Sequence, residues 1–187
     1  MGTNKIFFLS VWFYYFLLCV TSQSVIGNTI ELNQKQLKLR EVYTKEIGVK
    51  EATGHNDGPR IKEYLANTGL PEGNAWCAAF ITTCFIEAGI PAIKSAYSPS
   101  WFKPQYLIYV RGKPNNKTPT TSDVGGIWFQ DKGRIAHVLF IDEWPFGTAF
   151  TNTVEGNTNK DGSREGNQVC RKRRPKAQIH SVSRYIV

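Results

Sequence analysis

The chain has no long apolar run beyond one N-terminal stretch, and that stretch, Ile6 to Val20, spans 15 of its 187 residues. This is short of the roughly 20 apolar residues that cross a bilayer and matches the apolar core of an export signal. Acidic residues are also scarce. Fifteen Asp and Glu stand against 23 Lys and Arg, a formal net charge of +8. Such a surface suits an anionic partner, whether nucleic acid, a membrane surface or an acidic cell envelope, and charge alone does not choose among them. Charged residues total only 20%, whereas 41% are hydrophobic and 13% aromatic, which excludes a disordered chain and allows a real core. Internal repeats and low-complexity tracts are absent. There are three histidines and four cysteines.

What is present at the N-terminus has the layout of an export signal. Lys5 supplies a thin positive region, Ile6–Val20 the apolar core, and Thr21–Asn28 a small and polar stretch offering cleavage after Ser22, Ser24 or Gly27. A retained anchor is the alternative. Lipidation at Cys19 is disfavoured by the bulky Leu18 before it. Residues 1–28 are therefore expected to be removed, leaving 29–187 as a single domain of an exported protein, periplasmic, envelope-bound or secreted, with no stable membrane insertion. Of Cys19, Cys77, Cys84 and Cys170, three then remain. An odd number excludes a complete disulfide framework.

The periodicity predicts helices first and strands second. Leu32, Gln36, Leu39, Tyr43 and Ile47 share near-helical spacing over 31–47, ending at Gly48. Asp57-Gly58-Pro59 starts a short helix over 60–67. Asn74 reads as the N-cap of a third helix over 75–88, stopped by Gly89-Ile90-Pro91. Residues 91–122 hold five prolines and are expected to be irregular. They include a glycosylation sequon at Asn116-Lys117-Thr118. From 124 the period becomes two, predicting strands at 124–130, 134–143 and 148–155, with weaker ones at 168–173 and 178–187. Turns are expected at 131–133 and 144–147. The fold class is α+β, with the helices on one face of an antiparallel sheet.

Cys77 stands near a helix start, where free backbone N–H groups and the helix dipole favour thiolate over thiol. Cys84, seven residues on and flanked by Ile81, Phe85 and Ala88, has the surroundings of a core residue. The two sulfurs cannot pair, because about 10 Å of helix separates their Cα atoms. His137 lies in the most apolar strand, Ile135–Ile141, and a buried imidazole needs a hydrogen-bond partner. A four-residue turn at 144–147 would place His137 opposite Val154, and one extra residue would bring Glu155 opposite. Either way Glu155 and Asn157 leave the strand near the imidazole, and either one's side-chain oxygen would fix its tautomer. As ordinary surface residues they would be a strand-end carboxylate and a turn asparagine.

These segments resemble a known family. Asn74–Phe80 (NAWCAAF), Arg134–Ile141 (RIAHVLFI) and Glu155-Gly156-Asn157 are similar to the three motifs of the cysteine, histidine-dependent amidohydrolase/peptidase (CHAP) domains. Ser122-Asp123-Val124 resembles the Pro-Gly-Asp that usually precedes the first core strand there, with Pro and Gly replaced. The resemblance spans roughly residues 40–175 and implies a papain-like fold and hydrolysis of peptidoglycan amides, either at muramoyl–L-alanine or within the stem and cross-bridge. It further implies Cys77 as nucleophile, His137 as acid and base, and Glu155 or Asn157 as its orienting partner. No cofactor or metal is called for. The expected partner is peptidoglycan, the expected state a monomer, and an effector role would bring a cognate inhibitor. A wall-binding module without turnover and a papain-like protease of proteins are the alternatives.

Other signals point less far. Asn157-Thr-Asn159-Lys-Asp161-Gly162 resembles the start of a calcium loop, but Gln168 replaces the twelfth-position glutamate, and an Asn/Gly turn is expected instead. Arg171-Lys172-Arg173-Arg174 lacks any nucleic-acid-binding motif around it and is expected to be a solvated basic face, with no nucleic acid as partner. Tyr97, Trp101, Trp128 and Trp144 are candidates for a glycan groove, at least half of them expected in the core. His55 beside Asp57 is explained equally by loop chemistry or by a second polar site.

Overall fold

The helical and alternating segments of the sequence become three helices and six strands among the described residues, 30–114, 116–159 and 166–187, of a computed structural model. The proposed export signal and positions 160–165 of the calcium-like loop lie outside those residues. The chain divides into units Met1–Lys35 and Gln36–Val187. Residues 30–35 of the first are helical and mostly exposed, with Lys35 ion-paired to Glu31 at 2.7 Å. Within the second unit Leu39 is the first buried side chain. The candidate site lies wholly in this unit.

Helix α1 (30–45) buries Leu39 and Tyr43, spaced i,i+4 on one face. Helix α2 (Pro59–Ala66) starts with its proline in the first turn and buries Ile61, Tyr64 and Leu65. Helix α3 (Cys77–Ala88) is apolar nearly all round and therefore central, ending at Gly89 in the left-handed conformation.

The strands are β1 (Leu107–Val110), β2 (Val124–Phe129), β3 (Arg134–Glu143), β4 (Phe150–Thr158), β5 (Gln168–Pro175) and β6 (Ser181–Ser183), in the spatial order β1-β6-β2-β3-β4-β5, antiparallel throughout. Helices and sheet thus form an α+β fold. Strand β3 reads as a near-continuous apolar run because both of its faces are covered. On one, Phe140 packs against Tyr43, Phe80 and Phe85 at ring separations of 4.5, 5.9 and 5.9 Å. On the other, Leu139 and Ile141 join Ile179 and Val182 in a second core cluster.

Three local expectations are corrected. Strand β1 forms inside the segment read as irregular; the side chain of Asn116 brackets its end, accepting from Val110 N–H at 2.9 Å and donating to Val110 O at 2.8 Å. Strand β6 covers only 181–183, since 176–178 form a 3-10 turn. The β3–β4 connection runs over 144–149 rather than 144–147, because Thr148 Oγ folds back to donate to Phe150 O at 2.8 Å and Lys176 donates to Pro145 O at 2.5 Å. That longer loop resets the register: Phe140 pairs with Val154 and Ile141 with Thr153.

Candidate active site

Asn74 does not cap α3. Its amide donates to Pro71 O at 3.0 Å, and Trp76 occupies the cap position, so Cys77 is the first residue of the helix rather than the third. No side chain caps the helix, but Trp76 itself is held from distant parts of the chain: Asn157 Oδ1 accepts its backbone N–H at 3.1 Å, and Glu51 Oε1 accepts its indole N–H at 2.8 Å. Asn157 sits at φ 54°, a conformation asparagine tolerates better than most residues. Gly156 beside it lets β4 approach α3 closely, since a Cβ there would lie 2.8 Å from Phe80 Cβ and Trp76 Cζ3. Residues 156 and 157 thereby fix where the helix, and with it Cys77, begins.

His137 reaches the site through a bulge. Ile127 pairs with His137 but Trp128 with Ile135, leaving Ala136 as the extra residue. Bulges of this kind re-aim side chains. Counting from the observed register puts Glu155 opposite Leu139, so His137 and Glu155 are diagonal neighbours on one sheet face, within reach of long side chains. Neither register expected from the sequence is the one adopted, yet the contact forms: His137 Nε2 lies 2.9 Å from Glu155 Oε2. A ring nitrogen facing a carboxylate carries the proton, which leaves Nδ1 as the other polar atom of an imidazole whose hydrogen bonding and charge lower the Cys77 thiol.

The electrostatics follow from burial and partners. Cys77 is 5% exposed and Glu155 fully buried. Burial pushes the Cys77 thiol up, but His137 by hydrogen bond and charge, Ser98 and the Val138 backbone together bring it below its ordinary value. Ser98 Oγ is 3.6 Å from the sulfur. Cys84 is the contrast: burial and the charges of Glu46 and Glu87 raise its thiol. Burial pulls the imidazole of His137 down, while hydrogen bonds and charge from Cys77 and Glu155 raise it overall, to about 9. Glu155, despite its burial, is held well below the usual carboxylate range by Arg174 and His137. The arrangement favours thiolate beside imidazolium. The backbone N–H groups of Cys77 and Ala78 at the helix start have no intrahelical acceptor, which suits them to a developing oxyanion.

Four supporting residues escaped the sequence reading. Arg174 donates to both Glu155 oxygens, at 2.5 and 2.6 Å, and Thr153 Oγ1 donates to Oε1 at 2.5 Å. Thr153 lies two residues before Glu155 on the same face, which its spacing reveals. Arg174 depends on the β4–β5 register, and Ser98 and Glu51 on tertiary packing, so no local signal marks them. The basic run is consequently not a uniform solvated face. Arg174 pairs with Glu155, Arg171 with Asp142, and Arg173 lies 3.7 Å over the Phe150 ring. Asn157 is engaged with α3, Asn56 and Gly166 O rather than with the imidazole.

Among the aromatic candidates, Trp101 is buried and Trp144 packs partly on the second core, whereas Tyr97 and Trp128 are exposed. The His55–Asp57 loop is held by Thr53, whose hydroxyl donates to Asp57 at 2.6 Å. Among the described residues no cluster of three His, Cys, Asp or Glu has metal-holding geometry, and no helix is long and apolar enough to cross a membrane. Comparison with protein-family models, curated proteins and solved structures gives no match for the chain.

Proposed function

We propose that the protein is a cysteine amidohydrolase of papain-like fold that cuts an amide bond in peptidoglycan. The observation that carries this reading is the contact of His137 Nε2 with the buried carboxylate of Glu155 at 2.9 Å, together with Cys77 at the first turn of a buried helix, where His137 lowers its thiol. Cys77 Sγ attacks the amide carbonyl, forming a carbon–sulfur bond while the carbonyl oxygen takes up negative charge against the N–H groups at the helix start. His137 then protonates the departing amine as the C–N bond breaks. Water, deprotonated by His137, attacks the thioester and releases the carboxylic acid with the thiol restored. Glu155 stays ionised throughout and holds the imidazole in its tautomer. Asn157 is assigned a positioning role, since its side chain holds the Trp76 backbone N–H just before α3.

Peptidoglycan as the substrate rests on the resemblance of three segments to the CHAP motifs, on the basic surface and on the export-signal layout of residues 1–28. The test is to incubate the purified chain with peptidoglycan and to follow new amines and shorter muropeptides by mass spectrometry, which also names the bond. Release that Cys77→Ala abolishes is the expected result. Full activity in Cys77→Ala would refute the mechanism.

A further inference from the structure

Beside the imidazole opens a cleft of about 480 Å³, with Arg111, Ile127, Trp128, Lys172 and Arg174 among its walls. Among the described residues three cations line it and no carboxylate does. Arg174 is already committed to Glu155. The other two use neutral oxygens as partners. Lys172 Nζ donates to Asn159 O at 2.6 Å and to Thr158 Oγ1 at 3.5 Å, and Arg111 donates to the carbonyl of Ala177. A carbonyl satisfies a hydrogen bond without cancelling the charge, so both cations still project a positive field into the cleft. That field reaches neighbouring groups: His180 is lowered first by partial burial and then by the charge of Arg111. Trp128, 39% exposed and stacked on His180 at 5.1 Å, adds a flat apolar wall.

We propose that this cleft holds a carboxylate of the substrate, carried on the peptide next to the scissile amide, with Lys172 and Arg111 as its charged contacts. The inference rests on the hydrolase reading for its reaction and adds the charge class of the substrate. A free carboxylate makes charge-assisted hydrogen bonds to both cations, whereas its amide makes only neutral ones. The site thus distinguishes acid from amide forms of otherwise identical peptides.

The test uses Cys77→Ala protein, which binds without turnover. It is titrated by calorimetry with L-alanyl-γ-D-glutamyl-L-lysine, its α-carboxylates either free or amidated. The acid form is expected to bind about tenfold more tightly at low salt, with the advantage shrinking as salt rises. Added Lys172→Gln or Arg111→Gln should erase most of that ratio, and Lys172→Arg should keep it. Arg111→Gln, at an exposed position, serves if Lys172→Gln does not fold. Equal affinity for acid and amide, no binding of either, or a ratio unmoved by the glutamine variants overturns the inference. Tighter binding of glycerol 3-phosphate than of the peptide acid also overturns it and reassigns the cleft to phosphate. Failure of the hydrolase reading shows separately, as peptidoglycan left intact by the unsubstituted protein, and the binding comparison is decided by its own result.

Discussion

Removing either charge of the Arg174–Glu155 pair should destabilise the protein more than removing both together predicts. Glu155 is fully buried and the Arg174 side chain is 17% exposed, with two short hydrogen bonds between them. Stranding one member of such a pair costs about 3–5 kcal/mol. The two single variants should not be equal. In Arg174→Met the carboxylate retains Thr153 and a protonated His137, so the loss falls at the low end of that range. In Glu155→Gln the guanidinium loses its counter-charge, and the new amide brings donors towards groups that are already donors, so the loss falls at the high end. The double variant removes both charges and should recover about 1–3 kcal/mol relative to the sum of the singles. Urea unfolding of the four proteins at pH 7 measures this, provided the m-values agree. Single losses below about 1 kcal/mol, or additivity within about 0.5 kcal/mol, would refute the assignment of Glu155 as an ionised, buried anchor.

The rate of amide cleavage should follow a bell in pH. The acid limb reflects ionisation of Cys77, below its ordinary value, and the alkaline limb reflects loss of the His137 proton near 9, as apparent values of the coupled pair. Glu155→Gln should move the alkaline limb to lower pH, because the carboxylate is one of the groups that raise His137; an unmoved limb would count against the contact between them. Stability has the matching signs. His137, raised on folding, contributes fully below its unfolded value of about 6.5 and loses that contribution as pH rises through about 9. Glu155, depressed on folding, contributes above about 4.3 and loses its contribution as pH falls towards its folded value. Gly156→Ala should cost about 1–3 kcal/mol through overpacking against Phe80 and Trp76, read as a lowered thermal midpoint, with activity falling as the start of α3 shifts. A midpoint equal to that of the unsubstituted protein would show that β4 does not need this approach.

Much of the outline was legible in the residues alone. Helical spacing marked α1, glycine and proline punctuation bounded α2 and closed α3, and period-two alternation marked β2, β3 and β4. Local chemistry also separated Cys77 from Cys84, because one lies at a helix start and the other in the apolar middle of the same helix. His137 declared itself as an imidazole that a greasy strand cannot bury alone. These are properties of neighbours in sequence, which propensity and pattern report directly.

The tertiary structure decided the rest, because the remaining partners are distant in sequence. The residue at the cap position of α3 is Trp76 rather than Asn74, and its backbone N–H is satisfied by Asn157, 81 residues away. The contact between His137 and Glu155 depends on a bulge at Ala136 and a six-residue connection that no turn signal foretold. Arg174, taken from a run of basic residues that looked solvated, becomes the counter-charge of the site only through the register of β5 on β4. Sequence pattern singled out Cys77 and His137. Strand register and close packing at Gly156 brought them to one point and supplied the charge that holds them there.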